Sequence, residues 1–232
     1  MAPSTTRTLS HLGAFFMDTK TNLYDTIVFD CDSTLVTIEG ADELAKKNGV
    51  YKKVTELTQR AMNGQLDFNT AFKERWDLIK PTIRDLEWLG EQYINNITLG
   101  AKEMVAECMA RGIEVFIISG GIKQPCDILG EYLGLPKENV LALNLLFNEN
   151  GNYIGIQPGQ TLLEDNGKAR IINKLFNKER TLFVGDGCTD LSVEAFVETF
   201  VGFGGNVCRK EVESNAKFYV HSNDLLTILK FI

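Results

Sequence analysis

Short apolar runs recur along the chain, and amphipathic stretches with helical spacing lie between them. The strand-like runs cover residues 25–29, 113–118, 181–184, 200–203 and 217–220. Helix-like stretches cover 101–111, 124–133, 168–176, 191–199 and 224–230. An apolar run without alternation suits a strand buried on both faces. Strands of that kind alternating with helices predict an α/β fold, a parallel sheet with helices on both faces and right-handed connections. The alternation stops after residue 38, and helical patterns over 42–48, 54–63, 67–79 and 83–93 take its place. That much helix is far more than one crossover between strands requires. The pattern therefore predicts a core domain from 17–37 and 99–232, with a small helical domain over 38–98 inserted after the first strand. A second insert, 141–147 and 153–156 around Asn150-Gly151, carries a hairpin turn signal.

Composition narrows the class without changing this picture. Apolar residues make up 44% and charged residues 24% of the 232, as in an ordinary globular chain. The 24 Lys and Arg against 31 Asp and Glu give a net charge of −7. No basic run is present, which argues against nucleic acid as a partner. An anionic ligand would have to be drawn by a few placed cations and a metal. Five cysteines without a CxxC pair read as free thiols in a reducing compartment, and no apolar stretch reaches the length of a membrane span. The expected location is cytoplasmic. Residues 1–16 are rich in Ser and Thr and hold one Arg and no acid. They read as a disordered leader; an organelle import segment has the same flavour.

In open α/β sheets, ligands bind outside the carboxyl ends of the strands. The first strand ends in Asp30-Cys31-Asp32-Ser33-Thr34, two carboxylates at i and i+2. On extended chain such residues share a face, and like charges so close call for a cation or a proton. A polar turn is the plainer reading of those residues, and the segment alone does not decide. Ser119-Gly120-Gly121 ends the second strand, at an expected helix start, and could cradle a phosphate. Gly185-Asp186-Gly187-Cys188-Thr189-Asp190 follows the strand over 181–184. A tight turn with a capping Asp explains that segment equally well in isolation. Taken together, Asp30, Asp186 and Asp190 offer hard oxygen ligands of the kind Mg²⁺ takes. Lys168, in Asn166-Gly167-Lys168, could add a point charge, although a surface lysine is the default for it.

These motifs, in this order, resemble the haloacid-dehalogenase superfamily of phosphatases. The segments Glu39 to Ala45, Arg60-Ala61-Met62, Glu74-Arg75, Ile118 to Gly121 and Val201 to Val207 resemble its phosphoserine phosphatase family. The likeness runs from about residue 25 to the C-terminus. It implies a Rossmann-like core with a helical cap, acting on a small phosphate monoester in serine biosynthesis. Asp30 would be the nucleophile forming an aspartyl-phosphate, and Asp32 the general acid and then base. Asp30, Asp186 and the Asp32 backbone carbonyl would hold Mg²⁺. Ser119, with Gly120 and Gly121, and Lys168 would bind the phosphoryl oxygens. Asp190 would support Lys168, with Thr189 beside it. Glu39 would take the substrate ammonium and Arg75 its carboxylate, with Met62 lining the pocket.

The chain departs from the family at Met62-Asn63-Gly64, where Met-Gly-Gly is usual, and this bears on substrate range. A phosphatase for another small monoester is the nearest alternative, and a non-catalytic phospho-ligand module a more distant one. A mutase or a dehalogenase fits less well, since the cap matches the amino-acid type and Asp32 is present. The resemblance leaves a homodimer open.

Overall fold

The computed structural model describes residues 22–62 and 65–232. The expected leader lies outside them. Strand β1 (Thr26–Phe29) is buried at every position. It pairs in parallel with β2 (Glu114–Ile122) on one side and β6 (Thr181–Gly185) on the other. Beyond β2 lies β3 (Val140–Leu143), and beyond β6 lie β7 (Thr199–Phe203) and β8 (Phe218–Val220), all parallel. The order is thus β3-β2-β1-β6-β7-β8. The chain steps outward from β1 in one direction and then, from β6, in the other. That reversal opens a crevice at the carboxyl end of β1, where open α/β sheets bind ligands.

Four helices stand between β1 and β2: α1 (Gly40–Lys47), α2 (Tyr51–Met62), α3 (Phe68–Ile79) and α4 (Ile83–Asn95). Sequence signals set their starts. The Asp67 side chain accepts the Thr70 N–H to begin α3, and Thr82 and Asp85 form a reciprocal capping box on α4. Phe72, Trp76, Leu86, Leu89 and Tyr93 of these helices belong to the same buried cluster as the sheet. Helix α4 packs against α6 (Lys123–Tyr132), which joins the insert to the sheet layer. Helix α5 (Ala101–Ala110) leads into β2, and α7 (Gly167–Leu175) precedes β6.

The elements differ from the sequence reading in five places. Residues 141–147 are not one arm of a hairpin. Residues 140–143 join the main sheet as β3, and only β4 (Leu145–Phe147) pairs antiparallel with β5 (Tyr153–Ile156). Gln160 makes the break, its side chain bonding both the N–H and the carbonyl of Asn144. The strand expected to end at 118 runs on through Ser119-Gly120-Gly121 to Ile122, and the following helix starts at Lys123, next to its expected start at 124. The helix expected over 191–199 is instead the single turn α8 (Cys188–Leu191) and a 3-10 turn at Glu194–Phe196. Asp190 draws the helix start forward by accepting the Gly187 N–H at 2.9 Å, while Thr199 is already in β7. A short helix, α9 (Lys210–Asn215), was not expected, and the C-terminal helix is a 3-10 turn at Leu225–Phe231. Among the described residues no helix is long and apolar enough to cross a membrane.

Candidate active site

The Asp30 N–H donates to the Val184 carbonyl at 2.9 Å, so the first carboxylate is anchored to the neighbouring strand. Residues 31–35 then form a tight loop, closed by the Val36 N–H bonding the Cys31 carbonyl at 3.1 Å. Ser33 within it has a φ of 56°, a left-handed conformation that costs a non-glycine residue about 1–2 kcal/mol. Bonds around the loop hold it there. The Ser33 N–H reaches the Ile38 carbonyl at 3.2 Å, and Ser33 Oγ donates to Glu39 Oε1 at 2.7 Å. Asn206 Nδ2 reaches the Ser33 carbonyl at 3.1 Å and Thr98 Oγ1 at 2.7 Å. Strain held by its surroundings is a feature of functional loops. This one turns Asp32 toward the same cavity as Asp30.

Asp30 and Lys168 are both buried, and Lys168 Nζ donates to Asp30 Oδ1 at 2.5 Å and to Asp190 Oδ1 at 2.6 Å. Burial alone would push the lysine down, but the Asp190 and Asp30 carboxylates outweigh it and hold the ammonium above its ordinary range. The reading of Lys168 as a surface residue is therefore excluded. Carboxylate oxygens of Asp30, Asp186 and Asp190 all lie within 4.8 Å of one another. Burial and the Asp190 charge raise Asp30 well above the carboxylate range, and the same two causes push Asp186 up to about 6. Asp32 is pushed up to about 7, first by burial and then by the charge of Glu39. Its Oδ1 is buried without a hydrogen-bond partner.

These groups share one cavity of about 300 Å³. Its floor is made by Asp30, Asp32, Ser119, Lys168, Asp186 and Asp190, with Gly120, Gly121 and Thr189 beside them. Ser119 is buried, and its Oγ accepts the Gly121 N–H at 2.9 Å. A Cβ on Gly121 would stand 3.3 Å from Asp32 Oδ2, so glycine keeps the floor open between the serine and the acid. Glu39 and Arg75 of the helical insert line the cavity wall with Phe72 and Trp76. Arg75 is largely buried, and its Nε has no hydrogen-bond partner. Met62 ends α2, but its side chain and residues 63–64 lie outside the described residues.

Two residues missed in the sequence complete the site. Arg209 Nε donates to Asp186 Oδ2 at 2.7 Å and its second nitrogen to Glu39 Oε1 at 2.9 Å. One guanidinium thus ties a floor carboxylate to a wall carboxylate. The Ser33 and Arg209 bonds both fall on Glu39 Oε1, which leaves Oε2 available to a ligand. Tyr93 of α4 reaches Asp32 with its hydroxyl, lowering the acid against the two causes that raise it. The signal for Arg209 was a fourth strand end, Gly204-Gly205-Asn206 after β7; for Tyr93 there was none beyond an apolar helix face.

Residues 24–193 match the family model of the haloacid dehalogenase-like hydrolases. The phosphoserine phosphatase of Rattus norvegicus is 39% identical over 199 residues, covering 84% of this chain and 88% of the rat protein. That of Methanocaldococcus jannaschii is 34% identical over 214 residues, covering 89% of this chain and 96% of its own length. A phosphoserine phosphatase solved with its substrate bound superposes with a TM-score of 0.78 at 30% identity, covering 91% of this chain and 100% of the other. The family-model match spans β1 and the helical insert that carries Glu39 and Arg75, and the chain belongs to the haloacid dehalogenase-like hydrolases, in the phosphoserine phosphatase family.

Proposed function

We propose that this chain hydrolyses O-phospho-L-serine to L-serine and phosphate through an aspartyl-phosphate on Asp30. The observation that carries the reading is a single cavity with phosphoryl-transfer groups on its floor and two opposite charges, Glu39 and Arg75, on its wall. Phosphoserine has the matching three groups: a phosphate, an ammonium and a carboxylate. The relatives' names point to the same substrate.

Lys168 bonds Asp30 through Oδ1, which leaves Oδ2 to attack phosphorus in line. The P–O bond to serine breaks as the Asp30 Oδ2–P bond forms. Asp32, pushed up to about 7, carries a proton near neutral pH and delivers it to the departing serine oxygen. The deprotonated Asp32 then takes a proton from the water that hydrolyses the acyl-phosphate. Ser119 Oγ and Lys168 Nζ stabilise the transferring oxygens, and one such donor is typically worth about 10²–10³ in rate. Asp190 holds Lys168 in place.

The floor fits a hard divalent cation. Three buried carboxylates converge there, and burial and the Asp190 charge raise Asp30 and Asp186 toward the protonated form, which a nearby cation would offset. Mg²⁺ suits such a set of oxygens, and Asp30, Asp186 and the Asp32 carbonyl would hold it. When bound it neutralises phosphate charge and keeps Asp30 ionised. Residues 38–98 act as the cap over this floor, excluding water during transfer. Their support is the shared cavity wall and the packing of α4 on α6. The free state of all five cysteines supports a reducing, cytoplasmic setting.

The test is a hydrolysis panel of L- and D-phosphoserine, phosphothreonine and sugar phosphates, with Mg²⁺ and with excess chelator. L-phosphoserine should lead the panel and chelator should abolish turnover. Asp30→Asn should release no phosphate. Equal turnover of sugar phosphates would transfer the assignment to another small monoester, and release of phosphate by Asp30→Asn would remove the nucleophile.

A further inference from the structure

Outside the cavity, three side chains with metal-binding atoms converge from separate segments. Cys208 lies in the loop before α9, Glu213 on α9, and His221 just after β8. One ligand atom from each lies within 4.8 Å of the others. Cys208 Sγ is 3.5 Å from Glu213 Oε2, and His221 Nε2 is 3.4 Å from Glu213 Oε1. Around a tetrahedral zinc ion, with bonds of roughly 2.0–2.3 Å, neighbouring ligand atoms stand about 3.3–3.8 Å apart. Both contacts to Glu213 have that length, Cys208 on Oε2 and His221 on Oε1, and with a single atom from each residue all three stay within 4.8 Å.

The surroundings fix these side chains rather than leaving them to chance. The Tyr219 hydroxyl contacts Cys208 Sγ at 3.5 Å, and its ring meets the His221 imidazole edge-on at 4.9 Å. Tyr219 is itself packed on the backbone at Gly202 and Gly204, where an added Cβ would come within 2.6 and 2.2 Å of the ring and its hydroxyl. A planar wall thus stands behind two of the three ligands. None of the three lines the catalytic cavity, and the proposed hydrolysis uses none of them.

We infer that Cys208, Glu213 and His221 form a second cation site, one for a borderline-soft divalent transition ion such as Zn²⁺. Thiolate and imidazole select zinc-type ions, whereas the all-oxygen floor of the cavity suits Mg²⁺, so ligand softness keeps the two sites apart. Three protein ligands leave a fourth position for water. On binding, the Cys208 S–H bond breaks, its proton passes to the solvent, and the sulfur pair forms the bond to the ion. The site sits one residue from Arg209, on the segment that holds Asp186 and Glu39.

Cobalt(II) titration of the full chain, in saturating Mg²⁺ and a non-chelating reductant, reads the site directly. One equivalent should bring up a thiolate-to-cobalt charge-transfer band with intense tetrahedral visible bands, and Zn²⁺ should displace both. Cys208→Ser should lose the charge-transfer band, and His221→Ala should weaken Zn²⁺ about tenfold or more. Cys188→Ser, which removes the other exposed thiol, should change neither. Circular dichroism confirms that the variants are folded; all three positions are exposed. A wild-type chain without the charge-transfer band would overturn the site, as would a band that survives in Cys208→Ser or disappears in Cys188→Ser.

Discussion

Asp32 and Arg209 show how single side chains divide the labour of this cavity. Asp32 Oδ1 is buried without a partner, and the acid is pushed up to about 7, so its proton is available to a leaving oxygen. Asp32→Asn should lower kcat for phosphoserine by about 10²–10⁴. Turnover of p-nitrophenyl phosphate should fall less in the transfer step, because that leaving group departs without a proton. A pre-steady-state burst of nitrophenol retained in the variant would show it, and loss of the burst would assign Asp32 to the attack itself. Arg209 acts through others, bonding Asp186 and Glu39 at once. A charge-assisted bond contributes about 1.5–3 kcal/mol, so Arg209→Ala should raise KM for phosphoserine about tenfold or more. The rise should be smaller for the aryl phosphate, which has no ammonium for Glu39 to hold. An equal loss on both substrates would mean that Arg209 works through Asp186 alone. Lysine cannot replace it, since one ammonium lacks the planar fork that spans two carboxylates.

Two elements carry the geometry on which those side chains depend. The loop over 31–35 keeps Ser33 left-handed at a φ of 56° and uses its hydroxyl to orient Glu39. Ser33→Ala loses the hydroxyl and keeps the strain, whereas Ser33→Gly loses the hydroxyl and relieves it. The glycine variant should therefore be the more stable by about 1 kcal/mol in urea unfolding, while the two share the same defect in phosphoserine KM. Helix α4 comes close to α6 at Gly90, where an added Cβ would meet Ile128 Cδ1 at 2.5 Å and its Cβ at 2.8 Å. Gly90→Ala should lower stability by about 1–3 kcal/mol through overpacking, and should disturb the wall of the cavity with it. What the sequence made legible follows from the same distinction between local and distant causes. The buried strands could be read because a run such as Thr26 to Phe29 is apolar throughout, and Asp30, Ser119 and Asp186 because each directly follows such a run. The three-residue difference in the start of α8 came from one capping bond, Asp190 to the Gly187 N–H, that no periodicity announces. Arg209 meets Glu39 across 170 positions and Asn206 meets Ser33 across 173. Partners so far apart are chosen by the assembled sheet, and an arginine after a glycine-rich loop has no local mark of the role.

At the scale of the whole molecule, the floor of the cavity makes stability depend on pH and on cation together. Asp30, Asp32 and Asp186 are all raised from an ordinary 3.8, Asp186 to about 6 and Asp32 to about 7. The folded chain therefore binds more protons than the unfolded chain between those limits, and unfolding free energy falls as pH rises through the interval. The acids that are lowered, Asp25 beside Arg180, Asp67 beside Thr70 and Asp85 beside Lys47, work in the opposite sense, but only as pH falls below about 4. Lys168 and Arg209 are raised above their ordinary values by the carboxylates around them, so their contribution is fully present across the interval and declines only at higher pH. The net expectation for the chain in chelator is an unfolding free energy lower at about pH 7.5 than at about pH 5 by on the order of a few kcal/mol, read as a lower urea midpoint. On the proposed reading a divalent cation would bind the deprotonated floor and add stability that grows with the logarithm of its concentration above Kd, so Mg²⁺ should raise the midpoint most at the higher pH and flatten the profile. Asp186→Asn removes one of the converging charges without changing the side chain's size. Its profile in chelator should be shallower than that of the native chain, and its response to Mg²⁺ smaller. A steep profile unchanged by that substitution would place the source of the pH dependence outside the three aspartates, whereas a flat native profile in chelator would show that Lys168 and Arg209 already neutralise the floor by themselves.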